Sequence, residues 1–296
     1  MQILQYLVNG ISIGAVYAII ALGYTMVYGI AKMLNFAHGD VIMVGAYICF
    51  FAVASFGLHP ILGILLAMVV CTILGMTIER LAYKPLRQAP SLAVLITAIG
   101  MSYLLQNGAQ LLWSASNKMF PNFMNFGGKT GISFFDDELI ISWTTLVTIV
   151  SCVVIMIALT LFTGKTKIGK AMRACSEDKG AAQLMGINVN TTISVTFAIG
   201  SALAAIAGVL LCSSYPILVP TTGSMPGIKA FTAAVFGGIG SIPGALVGGI
   251  LLGVIEIFAK AYISTQLSDA IVFAVLIIVL LIKPTGLLGK QIREKV

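Results

Sequence analysis

The 296-residue chain is 59% hydrophobic and only 9% charged, with a mean hydropathy of +1.04. Soluble domains are about 45–50% apolar and about 25% charged, so this chain lacks the polar surface that a water-soluble protein needs. The net charge of +7 raises nucleic acid as a partner, but the basic residues follow membrane topology instead, as the chain order shows.

A span takes roughly 20 apolar residues. Apolar stretches run over 3–31, 41–57, 61–78, 92–112, 139–163, 191–212, 230–259 and 270–282. No Lys or Arg precedes Lys32, and no small-residue cleavage site follows, so the first stretch reads as a retained span and not as a signal peptide. Between the first two stretches lies Asn35-Phe36-Ala37-His38-Gly39-Asp40. Asp40 is placed to cap a helix that begins at Val41. The motif reads either as a capped turn at the membrane face or as a break in the wall of a translocation path. His38 has no second ligand near it, and a metal site is not indicated.

A long connection, 113–138, carries Asp136-Asp137-Glu138. Further on, 164–190 is basic and polar. In it, Asp178 suits the cap of a short helix over about 179–185, and Gly186 suits its left-handed stop. Ala181, Ala182, Leu184 and Met185 would give that helix an apolar, small-residue surface for a soluble partner; the alternative is a basic loop held by lipid headgroups.

The connection 213–229 holds three prolines and two glycines and cannot be one helix. The stretch 230–259 breaks at Gly237-Gly238-Ile239-Gly240-Ser241-Ile242-Pro243-Gly244. It divides into a short, re-entrant or half-spanning piece near 230–240 and a full span near 244–259. Two interrupted stretches, one in each half of the chain, resemble the pattern of transporters built from repeated halves. Glu256 is the one carboxylate well inside a span, and Lys260 one turn on is its expected partner. Small residues at Gly200, Ala204 and Gly208, and at Gly244, Gly248, Gly249 and Gly253, read as packing seams.

The expected fold is all-α: a polytopic transmembrane helical bundle of about eight spans (eight to ten), discontinuous or re-entrant near 230–243, forming a single transmembrane domain over 1–296. With the C-terminus inside, the inner face holds Lys32; Arg80, Lys84 and Arg87; Lys165, Lys167, Lys170, Arg173 and Lys179; and Lys283, Lys290, Arg293 and Lys295. The outer face holds Lys118, Lys129, Lys229 and Lys260. Thirteen against four places the N-terminus outside and the C-terminus inside, and no nucleic acid is needed to explain the charge.

The five cysteines form no CxxC or Cys/His cluster, so neither a disulfide framework nor a metal is expected. There is no GxxxxGK[ST], HExxH or plausible triad. The chain reads as a transport protein without cofactor, not an enzyme, and any ATP hydrolysis falls to another chain.

Four segments carry a resemblance. They are Gly23-Tyr24-Thr25-Met26-Val27-Tyr28-Gly29 leading into Asn35–Asp40; Gly169-Lys170-Ala171-Met172-Arg173-Ala174 running to Gly186-Ile187-Asn188; Lys229 to Gly244; and Lys283-Pro284-Thr285-Gly286-Leu287-Leu288-Gly289. Along almost its whole length the chain resembles the LivH-type permeases of high-affinity branched-chain amino acid ABC transporters. That resemblance implies a bacterial inner-membrane permease paired with a second related permease, two cytoplasmic ATP-binding subunits and a periplasmic amino-acid-binding protein. It also implies that 164–190 is the coupling loop, with Lys170, Arg173, Glu177, Asp178, Ala181, Ala182, Leu184 and Gly186 as its contact residues. Glu177 and the alanines are not contiguous, unlike the usual Glu-Ala-Ala coupling motif. Asn35, His38, Asp40, Gly237, Gly238, Gly240 and Pro243 are the translocation-path candidates. A permease for urea, an amide or a sugar, and an ion-coupled secondary carrier, remain the alternatives.

Overall fold

The computed structural model describes residues 2–121, 131–134 and 139–289. Lys129, the acidic cluster 136–138, Lys290, Arg293 and Lys295 lie outside the described residues. Among those described, seven helices are long and apolar enough to cross a membrane. They are α1 (Gln2–Ala31), α2 (His38–Phe50) with a π-helical turn to Ser55, α3 (Pro60–Ile78) extended by irregular turns to Leu86, α4 (Ser91–Trp113), α5 (Trp143–Lys165), α8 (Val189–Ser214) and α10 (Ile242–Tyr262). A shorter apolar helix, α11 (Ser268–Ile282), follows them, so seven spans of full length stand beside the expected eight to ten.

Helices α6 (Lys167–Glu177) and α7 (Lys179–Leu184) stand between α5 and α8. α9 (Ser224–Gly237) has 14 residues, about 21 Å, and falls short of the roughly 30 Å hydrocarbon core. It begins six residues earlier than the sequence pattern suggests, because Pro226 sits in its first turn, where a missing N–H costs nothing.

The bundle is layered by enclosure. In the most apolar window of α1, 94% of residues are buried, against 17% for α4 and 22% for α5. α1 is therefore the central post, with α8, α9 and α10 against it, while α4 and α5 lie on the rim. Leu104, Leu111 and Leu112 of α4 point outward, as they do where the surroundings are hydrocarbon or another membrane helix. The α1–α10 contact is the most extensive. A Cβ added at Gly249 would lie 2.5 Å from Ala18 Cα, and one at Gly253 would run into the backbone of Gly14. The expected seam is thus a place where two backbones touch. The Gly208 seam likewise meets the backbone of Ile42.

Two small ladders qualify the all-α expectation. β2 (Gly131–Phe134) pairs with β3 (Leu139–Ser142), and β1 (Lys118–Met119) pairs antiparallel with β4 (Ile217–Leu218). The second ladder joins the two long connections 113–138 and 213–229 to each other, which spacing alone did not reveal.

Candidate functional site

α1 ends where Lys32 turns left-handed at φ 58°, and residues 32–37 return non-helically into the interior. Non-helical backbone at membrane depth survives only where protein surrounds it. Here Asn35 is 4% exposed, and its Oδ1 accepts from the Tyr83 hydroxyl at 2.9 Å. His38 opens α2, edge-on to Tyr24 with ring centroids 4.6 Å apart. Its Nε2 faces the α1 backbone around Ile20 and Gly23 but makes no hydrogen bond of good geometry.

Asp40 does not cap α2. The helix starts at His38, three residues earlier than expected, and Ala37 at the cap position offers no side-chain acceptor. Asp40 lies instead in the first turn and is 1% exposed. Gln106 Nε2 reaches it at 2.9 Å and also reaches Ser224 Oγ, at the first residue of α9, at 3.1 Å. The starts of α2 and α9 therefore meet. At Gly39 any Cβ would sit 2.7 Å from the Gly223 carbonyl, so the contact requires glycine. Two positive helix ends close together favour a nearby carboxylate, and Asp40 supplies one.

The second break follows α9. Gly238 and Gly240 have φ of 106° and 93°, conformations open to glycine, and the backbone of Gly237 packs on that of Gly244. Ser241 Oγ accepts from the Gly244 amide at 3.2 Å, and Pro243 takes an early position in α10. The Lys283–Gly289 tail closes this end: the Leu287 and Leu288 amides donate to the Phe236 and Gly237 carbonyls, each at 2.9 Å. The seven candidates fall on two breaks: Asn35, His38, Asp40, Gly237 and Gly238 are buried, Gly240 and Pro243 are exposed, and none of them lines either of the two cavities described below.

Lys229, expected on the outer surface, is buried in α9. The expected Glu256–Lys260 pair is present. Glu256 also accepts from Lys229 at 2.9 Å and from the Tyr17 hydroxyl at 2.8 Å.

On the opposite end, α6 and α7 form an angled pair. Thr166 caps α6 through the Gly169 amide at 3.0 Å, and Asp178 caps α7 through the amides of Gly180 and Ala181 at 2.7 and 3.0 Å. Gly186 is left-handed at φ 82°, the stop expected for it. The sequence reading missed α6, although Met172 and Cys175 at helical spacing were its signal; both are buried, with Ala182, against Met26 and Ile30 of α1. Lys170, Glu177, Asp178 and Ala181 are exposed; so is Arg173, which donates to the Gly164 carbonyl at 3.0 Å. Leu184 and Met185 are 90% and 83% exposed.

Lys179 links this pair to the first break: its Nζ donates to the Ala31 carbonyl, at the end of α1, at 2.8 Å. Burial, and then the charges of Arg87 and Lys32, hold the Lys179 ammonium below its usual range. These three cations border a cavity of about 340 Å³. A second cavity, of about 380 Å³, lies at the other end between α1, α5 and α8.

The profile of the family described as "branched-chain amino acid transport system / permease component" matches residues 6–280. The chain belongs to this permease family. It is 47% identical to the high-affinity branched-chain amino acid transport system permease protein BraD of Pseudomonas aeruginosa, covering 99% of this chain and 98% of that one. Against LivH of Escherichia coli K12 the identity is 45%, over 100% and 98%. Against the probable LivH of Methanocaldococcus jannaschii it is 33%, over 92% and 88%. Among solved structures, PsaBC from Streptococcus pneumoniae in complex with a Fab aligns with TM-score 0.50 at 15% identity, covering 94% of this chain and 91% of that one. That likeness speaks to the fold alone. As a multi-pass permease, the chain needs no catalytic machinery of its own.

Proposed function

We propose that this chain is the membrane-spanning permease subunit of an ATP-driven importer of branched-chain amino acids in the inner membrane. It would work with a second related permease, two cytoplasmic ATP-binding subunits and a periplasmic binding protein. The family assignment supports the substrate class. The observation that carries the coupling is the Lys179–Ala31 hydrogen bond, which ties the α6–α7 pair to the end of α1 where the interior break begins.

A short helix that shows Leu184 and Met185 almost fully to solvent suits a partner groove. Closure of the ATP-binding subunits pushes on α7, the push passes through Lys179 to residues 31–40, and the two breaks at 32–40 and 237–243 give the spans room to tilt. The joined connections around β1 and β4 form the outer surface where the binding protein docks. Selectivity rests with that protein, so the permease holds the ligand weakly.

The test is uptake of radiolabelled leucine by vesicles reconstituted with the partners. Isoleucine and valine should compete, whereas urea and sugars should not. Uptake that persists without the ATP-binding subunits, driven by an ion gradient, would replace this reading with a secondary carrier.

A further inference from the structure

The cavity of about 380 Å³ opens beside the N-terminal half of α1, and no charged side chain lines it. Its size falls within the roughly 300–1,000 Å³ of small-molecule sites. The lining divides chemically into hydroxyls, from Ser12, Thr144, Ser213 and Ser214, and an apolar part made by Ile13, Val16 and Ile257.

Two helix ends of opposite sign border it. α5 begins there: Ser142 satisfies the Thr145 amide at 3.2 Å, while the first-turn amide of Thr144 has no intrahelical acceptor. α8 ends there, and the sequence leaves its last carbonyls outside the ladder. Pro216 has no N–H for the Cys212 carbonyl, and the Ile217 amide turns to Tyr215 at 2.8 Å instead of Ser213. One border of the cavity is thus electropositive and another electronegative, although the lining carries no net charge.

Ser12 adds an independent polar handle. It is 9% exposed, it faces the cavity, and its hydroxyl makes no hydrogen bond among the described residues. Its oxygen is open to the cavity and free to bond an occupant.

We propose that this cavity is a transient subsite for a neutral aliphatic α-amino acid. The carboxylate lies at the start of α5, the ammonium at the end of α8, and the aliphatic side chain against Ile13, Val16 and Ile257, with Ser12 bonding the backbone end. Opposed helix ends suit a zwitterion, and an uncharged lining refuses an amino acid with a charged side chain. The subsite rests on the amino-acid permease reading and adds to it the place where the substrate pauses.

The experiment uses the full reconstituted complex and a leucine analogue bearing a photoreactive diazirine in its side chain. Irradiation should label Ile13, Val16 or Ile257, and excess leucine should abolish the label. In parallel, Ser12→Val should lower the leucine delivered per ATP hydrolysed by about tenfold, the effect of one lost hydrogen bond to a charged group. Ser12→Thr has the same bulk and keeps the hydroxyl, and it should stay within about twofold. Leucine uptake with the label elsewhere, or equal behaviour of the Val and Thr variants, would overturn the subsite alone. Absence of leucine uptake by the wild-type complex would remove the permease reading, and the subsite with it.

Discussion

Lys229 donates to Glu256 at 2.9 Å between side chains that are 8% and 1% exposed, and this pair fixes the half-length helix α9 against α10. Glu256 also takes Lys260 and the Tyr17 hydroxyl, and Lys229 reaches Asp269 of α11 at 2.6 Å. One buried carboxylate thereby gathers α1, α9, α10 and, through Lys229, α11. A helix too short to span needs such a clamp, because lipid gives it no hydrophobic drive to stay packed.

Lys229→Met should destabilise the protein by about 3 kcal/mol, the low end for breaking a buried ion pair, since Glu256 keeps Lys260. Glu256→Gln should cost more, because it removes the negative charge that two lysines share. Thermal unfolding of the purified protein in detergent reads both. Equal midpoints for wild type and Glu256→Gln would show that the cluster contributes nothing.

The double substitution Leu184→Asp and Met185→Asp falls on side chains that are almost fully exposed. Stability should move by no more than about 0.5 kcal/mol, as for ordinary surface changes. ATP hydrolysis stimulated by the binding protein should be lost, as it should on deletion of residues 176–186. Normal stimulation in the deletion would detach this segment from coupling.

Glycines at helix contacts should respond differently from glycines on the rim. Gly249→Ala forces its methyl into Ala18 and should cost about 1–3 kcal/mol by overpacking. Gly100→Ala, on α4, meets nothing within 4 Å and should gain up to about 1 kcal/mol of helix propensity. Denaturation of the two variants side by side checks the sign of each.

All five native cysteines are buried, so thiol labelling starts from a quiet background. An impermeant maleimide added to intact cells should label Met119→Cys, which is 81% exposed on β1, and should spare Gln183→Cys until the membrane is opened. Labelling of Gln183→Cys from outside would invert the topology.

The sequence by itself determined the solvent and most of the elements. Runs of apolar residues of bilayer length have no stable alternative to a spanning helix, so the spans, the break at 237–244 and the Asp178–Gly186 helix were legible from local composition and capping chemistry. Glu256–Lys260 was legible for the same reason, since both residues lie on one helix four positions apart.

Only the tertiary structure decided contacts between segments distant in the chain. Lys229 counts as an outer-surface charge until α9 carries it against Glu256, and Asp40 looks like a cap until Gln106 and Ser224 arrive from two other helices. The β1–β4 ladder and the Lys179–Ala31 bond are of the same kind. Apolar periodicity says which residues avoid water. In a bilayer, where nearly every face is apolar, it does not say which face meets which, and close backbone contact and buried polar pairs make that choice.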